Sequence, residues 1–282
     1  MSSGTSVPLT PRDASGPSRI PSLLDRCLGA LTRRPGAIIT DIDGTISRIV
    51  ARPEDATVSS TAKAALDALS RSVDLVAVIT ARDEATARRM VGAAGITYVG
   101  NYGLVSGASV AGVDGVSQAR SAVGPLLKGL PCVTVEDKGV AFSLHYRNCD
   151  DPGAVRLRLL DIAGPIAAAA GARILEGKRV IELVPGRLPD KRSAFSKLVD
   201  ARGIRGLIYF GDDLSDVLVF EEIARRRSQG LLEGVGIAVI DVETDTSVRE
   251  AADTAVEGVD GVERLLTDLA ARLSESEGAN GG

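Results

Sequence analysis

The chain has 282 residues, 44% of them apolar, and a net charge of −4, so it can bury one large core or two modest ones without disulfide or metal staples. Four Tyr, four Phe and no Trp leave few faces for stacking bases, and the acidic balance without a basic run excludes a nucleic-acid partner. No run approaches the ~18 apolar residues of a membrane-spanning helix and no apolar signal core opens the chain, so the expectation is a cytoplasmic protein with no membrane partner.

Residues 1 to about 20 are Ser, Pro, Gly and Thr without periodicity, and the tail from about Ser274 is alike. Neither can bury enough apolar surface to offset the entropy of ordering, so both are expected to be disordered. Between them the pattern alternates. Residues 37–40 are a short apolar run ending in acid, and residues 59–70 space their apolar side chains for a helix with a serine N-cap. Residues 75–79 are a continuous apolar run of the parallel-sheet kind. Residues 83–91 read as helix and 97–99 as strand. Beyond a middle segment, 191–202 read as helix, 206–210 as strand, 214–225 as helix, 236–240 as strand and 259–273 as a closing helix. Such alternation predicts an α/β fold, a Rossmann-like parallel sheet with helices on both faces. Ligands of such sheets sit beyond the carboxyl ends of the strands.

Residues 108–187 break the alternation: helix near 116–129, strands at 132–138 and 140–147, helix at 152–170, strands at 172–176 and 179–184. Asp137-Lys138-Gly139 and Glu176-Gly177-Lys178 supply the turns. This α-β-β pattern, twice over, predicts one antiparallel sheet backed by two helices, an α+β domain inserted into the first. The expected division is a core of residues 21–107 and 188–273 around an insert of 108–187, with disordered tails at 1–20 and 274–282. Cys27, Cys132 and Cys149 are odd in number and have no C-x-x-C spacing, which reads as free thiols of a reducing compartment. One histidine, His145, excludes a His-rich metal centre and speaks against a Ser-His-Asp triad.

The first strand ends Thr40-Asp41-Ile42-Asp43-Gly44-Thr45. Side chains at i and i+2 of a strand share a face, so Asp41 and Asp43 can enter one cleft. Taken alone, the stretch also fits an ordinary acidic loop. An EF-hand fits worse, because Thr45 and Arg52 stand where Asp or Asn, and Glu, are expected. A later strand ends Gly211-Asp212-Asp213-Leu214-Ser215-Asp216. Carboxylates gathered at one sheet edge repel without a cation, and acidic oxygens with no His or thiolate suit Mg²⁺. Thr80, closing its strand, and Lys191, opening its helix, fall at the same edge. Singly they read as a strand-end hydroxyl and a solvated helix start; together they suit an anionic, phosphoryl-bearing ligand.

These four pieces, Asp-x-Asp-Gly-Thr, then Thr, then Lys, then Gly-Asp-Asp-x-x-Asp, resemble the signature of the haloacid-dehalogenase (HAD) superfamily, in the Asp-x-Asp form of its phosphatases. The resemblance spans residues 37 to about 270. It implies Asp41 as nucleophile, Asp43 as general acid and base, and Thr80 and Lys191 as supports of the transferring group. It also implies Mg²⁺ on an Asp41 oxygen, the Asp43 main-chain carbonyl and Asp212, with Asp213 and Asp216 holding its waters or neighbours.

Inserts at this place resemble the HAD caps that select the substrate. In the insert one strand face collects Glu136, Lys138, His145, Arg147, Lys178 and Glu182. That describes a solvated sheet face and equally a lining for a polyhydroxylated ligand. The wording Val135-Glu136-Asp137-Lys138-Gly139, His145-Tyr146-Arg147, Gly177 to Pro185, and Arg52-Pro53-Glu54-Asp55-Ala56 is similar to trehalose-6-phosphate phosphatases. The resemblance implies disaccharide contacts at Glu136, Lys138, Arg147, Lys178 and Glu182; Arg82, just after Thr80, is a further candidate substrate contact. It further implies coupling to a trehalose-6-phosphate synthase. Two positions depart from the family pattern: Tyr102 stands where a histidine is usual, and Ser215-Asp216-Val217 replaces Thr-Asp-Glu. The expected function is Mg²⁺-dependent hydrolysis of trehalose 6-phosphate. The alternatives are a phosphatase for sucrose 6-phosphate or a glycosyl phosphoglycerate, and a non-catalytic sugar-phosphate sensor or synthase partner. Retention of both Asp41 and Asp43 argues against the sensor, which has no need of a nucleophile.

Overall fold

The computed structural model describes residues 21–103, 113–139, 141–186 and 189–280. The expected disorder of residues 1–20 and the expected junctions at 107/108 and 187/188 lie outside them. In chain order the first elements are α1 (Leu23–Leu31), β1 (Gly36–Thr40), α2 (Ser60–Ser72), β2 (Leu75–Ile79), α3 (Glu84–Val91) and β3 (Ile96–Val99). Then come α4 (Val113–Val123), β4 (Thr134–Asp137), β5 (Phe142–His145), α5 (Pro152–Ala169), β6 (Ala172–Gly177) and β7 (Val180–Pro185). The chain closes with α6 (Lys191–Arg202), β8 (Gly206–Gly211), α7 (Leu214–Ser228), β9 (Glu233–Ile240), α8 (Thr246–Ala251), β10 (Thr254–Glu257) and α9 (Gly258–Asn280).

The larger sheet is parallel, in the order β10-β9-β8-β1-β2-β3. Apolar residues on both strand faces explain its layers. Ile38 of β1, Val76 and Val78 of β2 and Phe210 of β8 pack with α1, α2, α3 and α9. Their sequence neighbours Ala37, Ile39, Ala77 and Tyr209 pack on the opposite side with α6, α7 and α8. Ile38 and Ile39 are wholly buried, each contributing about 1.5–3 kcal/mol. Strand order reverses between β1 and β8, so their carboxyl ends flank the crevice where such sheets bind ligands.

The smaller sheet is antiparallel, in the order β4-β5-β7-β6, and its chain segment falls between β3 and α6. Phe142, Leu144, Ile181 and Leu183 face α4 and α5 in a core of their own. The architecture is therefore the expected α/β core with an inserted αββαββ cap. Tyr102, after β3, packs with Ala141 and Val184 where the cap meets the core.

Several local expectations change. α1, α8 and β10 extend the sequence reading; α1 begins in a reciprocal cap between Ser22 and Asp25, a device that short apolar spacing does not reveal. β4 and β5 are shorter than expected, leaving Lys138 in the turn. Val135 on edge strand β4 stays exposed although it shares the face of Leu144, because the helices back the middle of the sheet. The second cap turn lies one residue later, at Lys178-Arg179. The tail expected to be disordered from about Ser274 is instead helical as far as Asn280, because a helix already nucleated in the packed turns before it extends at little cost.

The cysteine reading is corrected. Cys132 and Cys149 form a disulfide, while Cys27 alone is a free, buried thiol. They are 17 residues apart, but the β4–β5 hairpin returns the chain so that their Cα atoms are 5.1 Å apart, within bridging reach. Linear spacing hides a pairing made by strand register. Among the described residues no helix is long and apolar enough to cross a membrane.

Candidate active site

Asp41 follows β1 at its carboxyl end and is 7% exposed. Its amide donates to Phe210 O at 3.0 Å, and its Oδ1 accepts the Ile42 amide at 2.7 Å. Oδ2 accepts Lys191 Nζ at 2.9 Å. Burial pushes the Asp41 carboxyl upward, against the Lys191 charge, with Asp216 and Asp43 adding to the rise.

Lys191 is buried at the start of α6, where Asp190 caps the helix by accepting the Ser193 amide. Nζ donates to Asp216 Oδ1 at 2.7 Å as well as to Asp41. Burial would strip the ammonium of its proton, but Asp216 and Asp41 hold its pKa well above the ordinary lysine value. Beneath it, Tyr209 of β8 stands edge-on between Phe195 and Phe220, with centroids 5.9 and 5.7 Å away. Its hydroxyl reaches Asp216 Oδ1 at 2.5 Å. Sequence reasoning missed Tyr209, since an aromatic inside a strand signals only core.

Asp213 and Asp216 double as helix caps. Asp213 is the N-cap of α7, accepting the Ser215 amide, and Asp216 completes a capping box. Asp216 Oδ2 takes the amides of Asp212 and Asp213, each at 3.0 Å. With both oxygens engaged, Asp216 orients Lys191, Tyr209 and the amides of Asp212 and Asp213.

Asp212 is 1% exposed. Oδ1 accepts the Thr45 hydroxyl at 3.0 Å, and Oδ2 lies 2.8 Å from Lys178 Nζ. Burial, opposed by Lys178 and reinforced by Asp213, Asp216 and Asp41, drives its pKa far up. Gly44, with φ +80°, lets the chain pass it; a Cβ there would stand 2.0 Å from Asp212 Oδ2. Ligand oxygens of Asp41, Asp212 and Asp216 lie within 4.8 Å of one another. Three buried carboxylates this close together, with no His or thiolate donor, fit a hard cation such as Mg²⁺.

Asp43 faces the same cleft, as the i, i+2 spacing predicts. Arg82 grips it in a fork, Nε to Oδ2 at 2.6 Å and Nη2 to Oδ1 at 2.8 Å, and donates onward to Pro53 O at 3.1 Å. Thr80 is buried at the end of β2, its Oγ1 accepting the Arg82 amide at 3.2 Å. The polar face of the cap sheet turns toward this edge. Lys138 Nζ donates to Glu182 Oε1 at 2.6 Å, Ser143 adds a hydroxyl at 3.2 Å, and His145 Nε2 lies 2.8 Å from Glu136 Oε2. Burial would raise the Glu136 carboxyl, but His145, Lys138 and Arg82 hold it below the usual range. A cavity of about 490 Å³ separates this roof from Asp41, Asp43, Thr80 and Lys191, within the ~300–1,000 Å³ of small-molecule sites.

All thirteen residues singled out from the sequence reach this cavity or its immediate support, but two are differently engaged. Arg147 binds Glu243 and Lys178 O, each at 2.8 Å. Lys178 bridges Asp212 and Asp241. Asp241 and Glu243 had no motif to announce them. Tyr102, in the family's histidine position, adopts left-handed φ 53°, ψ 33°, strain of about 1–3 kcal/mol that clusters at functional sites. Burial raises its phenol well above the ordinary value, with Glu182 adding to the rise, so it takes no part in neutral-pH proton exchange.

The description trehalose-phosphatase belongs to a family model that matches residues 39–260. An uncharacterized glycosyl hydrolase of Mycobacterium tuberculosis is 33% identical over 263 residues, covering 87% of this chain and 19% of that protein. Trehalose-phosphate phosphatase of Mycobacterium marinum is 34% identical over 269 residues, covering 89% of this chain and 65% of that one. This chain thus spans less than two thirds of the length of either relative. The C-terminal domain of trehalose-6-phosphate phosphatase from C. albicans has the same fold, with TM-score 0.72 at 20% identity over 89% of this chain and 97% of that one. With most of its length matched by the family model, the chain belongs to the trehalose-phosphatase family.

Proposed function

We propose that the protein hydrolyses trehalose 6-phosphate to trehalose and phosphate through an aspartyl-phosphate on Asp41. One observation carries the reading: a buried carboxylate paired with a buried lysine lies under a roof of mixed acids and bases from an inserted sheet. Asp41 Oδ attacks phosphorus, forming the acyl-phosphate bond as the ester bond to the sugar oxygen breaks. Asp43 gives its proton to that oxygen, then takes one from the water that attacks the aspartyl-phosphate and releases phosphate. Thr80 and Lys191 steady the phosphoryl oxygens, and Arg82 sets Asp43 while facing the substrate. Mg²⁺ would be held by Asp41, the Asp43 carbonyl and Asp212, with Asp213 and Asp216 outside them. It would supply positive charge against the transferring group.

The core of residues 21–107 and 188–273 carries this chemistry in our reading, and the cap of residues 108–187 chooses the ester. Glu136, Lys138 and Glu182 offer acceptors and donors to sugar hydroxyls, with Arg147 beside them and Lys178 reaching down to Asp212. The expected partner is a trehalose-6-phosphate synthase that makes the substrate. A cytoplasmic setting suits a phosphorylated sugar, but the thiol argument for it falls with the Cys132–Cys149 disulfide.

Phosphate release from a panel of sugar phosphates tests the proposal. Trehalose 6-phosphate should be the best substrate, chelation should abolish turnover, and Mg²⁺ should restore it. Preference for sucrose 6-phosphate or a glycosyl phosphoglycerate would overturn the substrate, and no release from any ester would overturn the enzyme.

A further inference from the structure

The loop after β9 belongs to no motif named above, yet it carries the acids that meet the cap. The tip of the β6–β7 hairpin reaches over the acid ends of β1 and β8. A Cβ on Gly177 would stand 3.1 Å from Asp213 Oδ2, so the hairpin backbone lies close on the core. The next residue, Lys178, sends Nζ to Asp212 Oδ2 at 2.8 Å and to Asp241 Oδ2 at 3.0 Å. Arg179, held at φ 64° in the left-handed region, brings Nε to 3.3 Å from Glu243 Oε1. From the end of β5, Arg147 donates Nη1 to Glu243 Oε2 and Nη2 to Lys178 O, both at 2.8 Å. One core carboxylate is therefore held by two cap guanidiniums, and one of these also fixes the hairpin backbone.

The core loop is organised for this. The Asp241 amide donates to Thr244 Oγ1 at 2.9 Å, while Asp241 Oδ1 accepts the Glu243 amide at 2.8 Å and the Thr244 hydroxyl at 3.1 Å. Oδ1 thus sets the loop and leaves Oδ2 for Lys178. The side chains of Arg147 and Glu243 are 25% and 29% exposed, so water and salt reach the Glu243 contacts, whereas the Lys178 side chain is only 7% exposed. The Glu243 pairs bias a position without locking it.

We propose that Asp241 and Glu243 are positioning residues, a core-side clasp that sets the β6–β7 hairpin, and with it Glu182, over Asp41. The proposal rests on the reading of the cavity as a capped sugar-phosphate site. The Glu243 pairs, open to water, can form as substrate enters and part for product, while Asp241 shares the buried Lys178 ammonium with Asp212.

The test compares the full chain with Glu243→Gln and with the double variant Asp241→Asn, Glu243→Gln, in Mg²⁺ buffer. In the double variant, amide exchange at residues 146 and 177–180 should quicken at least tenfold. KM for trehalose 6-phosphate should rise at least fivefold, while kcat for a small aryl phosphate stays within twofold. The single variant should fall between. Unchanged exchange in the double variant would overturn the clasp, and faster exchange with unchanged KM would overturn the positioning role. Should the wild type ignore trehalose 6-phosphate, the functional reading fails, and the exchange measurement alone decides the clasp.

Discussion

In the proposed reaction Asp41 must be anionic to attack phosphorus, yet it is buried where water cannot solvate the charge. Lys191 and the main-chain amide of Ile42 offset part of that loss, while burial still pushes the carboxyl up to about 7. Replacement by Asn keeps the shape and removes the ability to form an acyl phosphate. Asp41→Asn should lower phosphate release by more than ~10³-fold with an unchanged circular dichroism spectrum. Residual turnover within tenfold of wild type would remove Asp41 from the nucleophile's place. The i, i+2 carboxylates after β1 and the acids after β8 were legible as residues, because apolar runs that end in acid mark the carboxyl edge of the sheet. The Lys191–Asp216–Tyr209 chain was not, because its hydrogen bonds join residues from three elements.

One acid of α7 organises a polar bridge to α6 beside their apolar contact. Glu222 accepts from Arg225 at 2.7 and 2.8 Å and from Arg226 at 2.6 Å, and Arg226 crosses to Asp200 of α6. The Arg225 hydrogen bond, with Arg226 helping against burial, lowers the Glu222 carboxyl from 4.5 to about 2. A depressed acid stabilises the folded state above its unfolded pKa and loses that contribution as pH falls through the folded value. Glu222→Gln should therefore cost about 2–3 kcal/mol at pH 7, and its difference from wild type should shrink as pH drops from 4.5 toward 2. Urea unfolding across that range measures it; a pH-independent difference would mean that Glu222 acts by packing. At this scale the alternating strands and helices were legible from apolar runs. The extra α1, α8 and β10 were not, since caps and neighbours stabilise them more than their own periodicity.

Residues of both sheets line the cavity, so in the proposed function substrate choice is a property of cap and core together. Glu182 is buried in the roof with Lys138 and Ser143 as partners, remote from the phosphoryl group's supports. Loss of a hydrogen bond to a charged group costs about 1.5–3 kcal/mol, or roughly 10- to 150-fold in kcat/KM. Glu182→Ala should then cut trehalose 6-phosphate turnover at least tenfold and aryl phosphate turnover less than threefold, because a small ester has no second sugar to hold. Equal losses on both would make Glu182 a support of the fold; no loss on either would leave the trehalose assignment to family likeness.

The sequence by itself determined the α/β core, the inserted αββαββ cap and the acids at the sheet edge, because these follow from local periodicity and from where apolar runs end. It also separated the polar from the apolar face of the cap sheet. Only the tertiary structure decided which way that polar face turns, since a solvated face and a cavity roof share one alternation. Tertiary structure likewise paired Cys132 with Cys149 across a hairpin and placed Asp241 and Glu243 beside the cap. Those contacts join residues distant in the chain, and their energies come from burial and charge that exist only once the elements have packed.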